Sequence, residues 1–147
     1  MPLEAEKVGR AGALGEFASH VINLAHYLCG PIAEVVGDSQ IVYSPRPHAD
    51  GPKAVENDDQ ASLLLRFTSG VMGTIEASRV QAGRKVGVTY EVIGTRGAIA
   101  FDQERMSELQ FYDAADRAGR CGYRTLLSEP GHGEYGRFCV GAGHGVG

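Results

Sequence analysis

The fold is decided by the segment Leu14-Gly15-Glu16-Phe17-Ala18-Ser19-His20-Val21-Ile22-Asn23-Leu24-Ala25-His26-Tyr27-Leu28, which Cys29-Gly30-Pro31 follows. Its apolar residues recur at the spacing of one buried helical face. Gly30-Pro31 is a helix stop signal, because glycine readily ends a helix and proline cannot continue it. The segment predicts one amphipathic helix, whose buried face consists of Leu14, Phe17, Ala18, Val21, Leu24, Ala25 and Leu28.

The rest of the chain predicts strands, since short runs alternate apolar and polar residues and glycine-containing turns separate them. Alternate residues from Ala61 to Phe67 share one face, and so do those from Val71 to Ala77. The predicted strands cover Ile32–Val42, Ala61–Phe67, Val71–Val80, Val86–Ile93, Ala98–Phe101, Glu108–Tyr112 and Tyr123–Leu127, with a loop at Pro45–Asp59. The expected fold class is α+β: an open, mostly antiparallel β-sheet with one main helix packed on one face.

The composition indicates one soluble globular domain over residues 1–147, which is too short for a nucleotide-binding domain plus a substrate domain. The chain has 14 Lys and Arg against 18 Asp and Glu, a net charge of −4, so it offers no basic surface for nucleic acid or anionic lipid. No apolar run is long enough to span a membrane, and the first residues do not form a signal peptide. We expect a cytoplasmic protein with reduced cysteines.

The other face of the helix carries a polar stripe of Glu16, His20, Asn23 and Tyr27. A carboxylate one turn from an imidazole can fix its tautomer and raise its basicity, which is a common way to build a general base. The alternative is a solvated helix face, on which Glu16 and His20 form a weak pair.

Cationic side chains cluster where two predicted strands meet: Arg79 ends one strand, and Arg84 and Lys85 lie in the next loop. They could hold a hydroxylated or anionic substrate, or protect a sheet edge from aggregation.

The acidic run Glu56-Asn57-Asp58-Asp59 lacks the spacing of a calcium loop and is interpreted as a solvated turn. The glycine-rich tail at residues 141–147 is not a phosphate loop, because no helix follows it. A zinc site at Cys121, His132, Cys139 and His144 does not have the usual ligand spacing, so no metal is expected.

Four stretches, taken in order, resemble the C-terminal domain of the Gfo/Idh/MocA oxidoreductases, the family of glucose–fructose oxidoreductase and inositol dehydrogenase. They are the segment from Gly12 to Leu28, the run Asn57–Phe67 with Gly73–Arg79, the run Tyr90–Ile99, and Gly143-His144-Gly145. The resemblance covers residues 10–147, and the ordered series is more specific than any single motif.

This resemblance implies that the chain is the substrate-binding and oligomerisation domain of an enzyme whose N-terminal Rossmann domain binds NAD or NADP. The family's Asp-x-x-x-His maps onto Glu16 and His20, so His20 would accept the hydroxyl proton and Glu16 would orient it. Two positions depart from the family pattern, because Glu16 and Asn23 stand where the family usually has Asp.

The expected substrate is a sugar, polyol or inositol-like alcohol, contacted by Asn23, Arg79, Arg84, Tyr90 and His144. We expect a homodimer or higher homo-oligomer formed through the open sheet face, or a Rossmann domain supplied in trans. The chain is interpreted as a fragment or truncated product that binds no NAD or NADP and is inactive alone. The alternative is a non-catalytic sugar-binding or assembly module derived from the same family.

Overall fold

The computed structural model describes residues 11–137 of a chain that divides into two compact units, Met1–Ala82 and Gly83–Gly147. Among the described residues, the first unit contains one helix and a three-stranded sheet, and the second contains a four-stranded sheet. All strand pairs are antiparallel, so the predicted α+β class is confirmed. Within residues 11–137, no helix has the length and apolar character needed to cross a membrane.

The helix of the first unit begins with a π-helical turn at Leu14–Ala18 and continues as helix α1 over Ser19–Cys29. It ends at the predicted glycine, since Gly30 has a φ of 87° and its N–H donates to the carbonyl of His26 at 3.0 Å. A π-helical turn is wider than an α-helical one and changes which side chains face a neighbour. The sheet-facing residues are Ala18, Val21, Ile22, Ala25 and Cys29.

Leu14 and Phe17 were predicted to be buried, and that prediction was wrong. Both side chains are exposed, because the π-helical turn carries them off the face that packs on the sheet. The face predicted from Ala18 onward is confirmed for Ala18, Val21 and Ala25, which all contact the core.

The sheet of the first unit has the order β1-β2-β3, with β1 at Ile32–Gln40, β2 at Gln60–Phe67 and β3 at Met72–Ser78. The alternation predicted for β2 is confirmed, since Leu65 and Phe67 point into the core with Ile75 and Ala77 of β3. Fully burying a Leu or Phe side chain contributes about 1.5–3 kcal/mol. A slip of one residue would expose this whole set, so burial fixes the register.

Strand β1 ends before Val42, the predicted last residue. The N–H groups of Val42 and Tyr43 donate to Asp59 Oδ2 at 2.8 and 3.0 Å. Because a side chain takes these donors, the backbone leaves the strand pairing at Gln40.

The sheet of the second unit has the order β4-β5-β6-β7, formed by Thr89–Gly94, Gly97–Asp102, Glu108–Asp113 and Arg124–Leu127. The predicted turn from Gly94 to Gly97 is present between β4 and β5. Residues 11–137 thus form two sheets where the sequence predicted one open sheet. The segment between β3 and β4 is irregular and includes Gly83, whose φ of 102° lies outside strand geometry.

Candidate functional site

All four polar residues of the predicted stripe lie on the helix of the first unit. Glu16 belongs to the π-helical turn, and His20, Asn23 and Tyr27 belong to α1. All four side chains are exposed. The polar face is therefore exposed to solvent.

Glu16 forms an ion pair with Arg79, the first residue after β3. Arg79 Nη2 donates to Glu16 Oε2 at 2.7 Å, and the guanidinium carbon lies 5.6 Å from the centre of the Phe17 ring. The Arg79 side chain is only 9% exposed, whereas Glu16 is 45% exposed. Arg79 is thus a buried cation held by a carboxylate on one side and an aromatic ring on the other.

The second terminal nitrogen of Arg79 has a different environment. Nη1 is buried and has no hydrogen-bond partner within residues 11–137. A buried donor without a partner costs about 1–3 kcal/mol, so a polar atom is expected to satisfy it. An ordered water or a ligand oxygen could supply that acceptor.

His20 has no hydrogen-bond or ion-pair partner in the part of the chain that the structure describes. The carboxylate of Glu16, which the family resemblance assigns to orienting this imidazole, is instead bonded to Arg79. An exposed and unpaired imidazole can accept a proton from a bound hydroxyl group. The roles of His20 and Glu16 stay predictions.

The acidic segment Glu56–Asp59 differs from the solvated turn that the sequence predicted. Asp59 is fully buried, and its Oδ1 accepts from Nη2 of Arg46, whose side chain is 4% exposed. Charged side chains are almost never fully buried unless they are paired, and here the two charges compensate each other. The solvated-turn interpretation was therefore wrong for Asp59, which is a structural residue.

Arg84 lies in the second unit and forms ion pairs with Asp102 and Glu104, both at 3.0 Å. Hydrogen bonds from the Glu104 N–H and from Arg84 hold the pKa of Asp102 below its usual value. The Lys85 N–H and Arg84 do the same for the pKa of Glu104, and both carboxylates raise the pKa of Arg84. Arg84 is thus bound within its own unit, and its role in substrate binding stays a prediction.

Tyr90 lies on β4 and stacks on Phe101 of β5, with ring centres 5.3 Å apart. Partial burial, followed by the proximity of Tyr135, raises the pKa of the Tyr90 hydroxyl. The hydroxyl is therefore protonated at neutral pH and can act as a hydrogen-bond donor. Its contact with a substrate stays a prediction.

The remaining candidate residues are His144, predicted to contact substrate, and the cysteines. His144 and Cys139 lie outside residues 11–137. Cys29 and Cys121 are both free thiols. Among the described residues, no three His, Cys, Asp or Glu side chains come together as a metal site.

The pairing of Glu16 with Arg79 was missed because 63 positions separate the two residues. One signal was present in the sequence. Ile75 and Ala77 are the inward-facing residues of β3, and residue 79 is the next position in the same alternation. The alternation therefore predicts that the Arg79 side chain lies on the core side of the sheet. A cation at such a position needs a counter-charge, and the facing helix supplies Glu16.

The chain is similar to known oxidoreductases in both sequence and structure. Residues 3–100 match the family model described as the GFO/IDH/MocA C-terminal domain. The levoglucosan dehydrogenase of Pseudarthrobacter phenanthrenivorans is 36% identical over 141 residues, which is 86% of this chain and 36% of that protein. An uncharacterised oxidoreductase of Synechocystis sp. is 25% identical over 107 residues, 71% of this chain and 29% of that protein.

Solved structures agree with the sequence comparison. Levoglucosan dehydrogenase in complex with NADH and levoglucosan has 39% sequence identity and a TM-score of 0.84, over 93% of this chain and 36% of that one. An NAD-binding oxidoreductase from Klebsiella pneumoniae has 39% identity and a TM-score of 0.85, over 94% of this chain and 38% of that one. The present chain spans little more than a third of these relatives.

Proposed function

The chain belongs to the GFO/IDH/MocA family through its C-terminal domain, and we propose that it is the substrate-binding and oligomerisation domain of an NAD(P)-dependent oxidoreductase. The proposed substrate is a sugar, polyol or inositol-like alcohol. In this proposal both units belong to one domain, and the domain is cytoplasmic. Support comes from relatives solved with NADH and with levoglucosan or L-sorbose.

The observation that carries the proposal is His20, which is exposed, has no partner among residues 11–137, and lies on the same helix as the Glu16–Arg79 ion pair. His20 accepts the proton of the substrate hydroxyl, because imidazole is the side chain best suited to proton transfer near neutral pH. Asn23 and the carboxylate of Glu16 offer hydrogen-bonding atoms to neighbouring hydroxyl groups.

The described residues do not fit a nicotinamide dinucleotide. A dinucleotide loop needs a strand, a glycine-rich turn and then a helix, whereas residues 11–137 begin with the helix and continue as strands. We therefore propose that residues other than these hold the hydride acceptor. We propose that this chain binds the alcohol and accepts the proton of its hydroxyl group.

Calorimetry with NADH and NADPH tests the cofactor part of the proposal on the chain as it stands. We expect no binding to this chain. Micromolar affinity for either dinucleotide would contradict the assignment of cofactor binding to another domain.

A thermal-shift screen with levoglucosan, L-sorbose and myo-inositol tests substrate binding. A ligand present at 100 times its dissociation constant adds about 2.7 kcal/mol to the free energy of unfolding. We expect stabilisation by at least one of these probes, reduced in His20→Ala and retained in His26→Ala, a histidine on the same helix that lies outside the proposed site. Equal stabilisation of both variants would remove His20 from the site.

Turnover is tested by adding in trans a Rossmann domain of the kind that the family resemblance implies, and following NADH production. The proposal expects no turnover by the chain alone, turnover in the mixture, and its loss in His20→Ala. Unchanged turnover in that variant would exclude His20 as the base.

The outer face of the β1-β2-β3 sheet supports the oligomerisation part. Val36, Leu64 and Met72 are exposed there, and Val36 lies directly opposite Leu64 across the β1–β2 pair. Val36 and Leu64 thus form an exposed apolar pair on this face, and a second copy of this chain is the proposed occupant. Leu64→Glu should produce monomers in analytical ultracentrifugation, whereas Ser69→Glu in the β2–β3 turn should not.

A second candidate function is a sugar-binding or assembly module without catalysis. It is favoured by one observation, since Glu16 is bonded to Arg79 and not to His20. This candidate expects binding of a sugar probe without turnover in the reconstituted mixture.

A further inference from the structure

Asp58 contacts the start of the helix from 44 positions away in the sequence. Its Oδ2 accepts from the Leu14 N–H at 2.7 Å, and its backbone carbonyl accepts from the Ala13 N–H at 3.0 Å. The first N–H groups of a helix have no partner within it, and a carboxylate at this end also interacts favourably with the helix dipole. One residue thus satisfies two donors at the turn that carries Glu16.

The approach of Asp58 to the helix requires a glycine at position 12. A Cβ at Gly12 would overlap the Asp58 carboxylate and lie 2.9 Å from the Asp58 backbone nitrogen. Gly12 also has a φ of 22°, in the region that glycine adopts most readily. The carboxylate therefore lies directly against the backbone that precedes the π-helical turn.

Asp58 cannot shift independently, because Asp59 is held on several sides. The Asp59 carboxylate binds Arg46 and the N–H groups that end β1, and the Asp59 N–H donates to the carbonyl of Gln40 at 2.8 Å. The Asp59 carbonyl accepts from the Arg79 N–H at 2.9 Å. Two consecutive residues thus connect the start of the helix to the end of β3.

We propose that Asp58 is the positioning residue of this site: by holding the Leu14 N–H it sets the rotation of the π-helical turn, so that Glu16 meets Arg79 and His20 is left free. The segment Gly12-Ala13-Leu14 is then the part of the chain that the Asp58 carboxylate contacts. The proposal rests on the proposed function only in assigning a substrate to this site. The geometry that Asp58 holds does not require a bound substrate.

The test compares Asp58→Ala with Asp58→Asn, because asparagine keeps an acceptor oxygen and alanine does not. Asp50→Ala is the matched control, an exposed aspartate of the same loop whose carboxylate pairs with Lys53 at 3.2 Å. Two nuclear magnetic resonance signals are measured at a temperature where each variant is folded: the exchange rate of the Leu14 amide, and the guanidinium resonances of Arg79, which report its bond to Glu16.

We expect Asp58→Ala to speed Leu14 exchange at least tenfold and to remove the hydrogen-bonded Arg79 signal. Asp58→Asn should restore that signal, and Asp50→Ala should leave both signals unchanged. A lower melting temperature with an intact Arg79 signal would show that Asp58 only caps the helix, and it would overturn the proposal.

If Asp58→Ala does not fold, Gly12→Ala displaces the same carboxylate without changing Asp58. Loss of the Arg79 signal in that variant supports the proposal, and its retention overturns it. No sugar or cofactor enters either measurement, so a failure here leaves the proposed function standing. Failure of the sugar probes to bind likewise leaves the positioning role standing.

Discussion

The Glu16–Arg79 ion pair makes a quantitative prediction through a double-mutant cycle. The variants are Glu16→Gln, Arg79→Met and the double variant, and urea denaturation at pH 7 gives the free energy of unfolding of each. Exposed ion pairs couple by about 0.2–1 kcal/mol, whereas breaking a buried pair costs about 3–5 kcal/mol. With Arg79 9% exposed and Glu16 45% exposed, we expect a coupling energy of about 1–2 kcal/mol.

The two single variants should differ in their cost. Glu16→Gln leaves a buried guanidinium without its counter-charge, and Nη1 of Arg79 already has no partner among the described residues. Arg79→Met leaves a carboxylate that water can reach, and the methionine can still pack on Phe17. We expect Glu16→Gln to be the more destabilising change.

The control is the Glu34–Arg66 pair on the same sheet, at 3.5 Å with side chains 73% and 49% exposed. Its coupling should be at most a few tenths of a kcal/mol and should disappear in 1 M salt, where the Debye length is about 3 Å. Equal coupling in the two pairs, or equal loss with salt, would refute the inference that burial strengthens the Glu16–Arg79 interaction.

Three further predictions concern other parts of the chain. Asp59→Asn should lower the free energy of unfolding by about 3 kcal/mol or more in urea denaturation, because Arg46 loses its buried counter-charge, while Asp50→Asn should cost under about 0.5 kcal/mol. Gly37→Ala should destabilise by about 1–3 kcal/mol, since its Cβ would lie 2.8 Å from the Ser62 carbonyl oxygen; a neutral result in the same assay would show that β1 can shift. The lowered pKa values of Asp102 and Glu104 stabilise the folded state above the ordinary carboxyl range, and that stabilisation should be lost as pH falls below about 4 through the lowered values. Carbon-13 titration of Arg84→Gln should show both carboxyl pKa values moving upward, and unchanged values would exclude Arg84 as a cause.

The fold was largely predictable because burial is periodic along the chain. Alternate residues of β2 point into the core as expected, and Gly30 ends the helix where the stop signal lies. The π-helical turn was not predictable, since Leu14–Ala18 has an ordinary helical composition and the turn depends on contacts with distant residues.

The site was predictable only in part, for a physical reason. Glu16 and His20 lie one turn apart, so a local pattern makes them candidates, whereas Arg79, Arg46 and Asp59 interact with partners that only the fold brings close. A charged residue is most often exposed, so a sequence gives little warning that Asp59 is fully buried.

The π-helical turn has a consequence for how such chains are compared. A π-helical turn is equivalent to one residue inserted into an α-helix, so the residues before and after it follow different rotational phases. Deleting one residue within Leu14–Ala18 would let a regular α-helix replace the turn, and the residues on either side would keep their directions although their sequence spacing is shorter by one. A relative that is one residue shorter here can therefore present equivalent side chains at a different spacing, so the placement of a gap in this turn decides which residues are compared with Glu16 and His20.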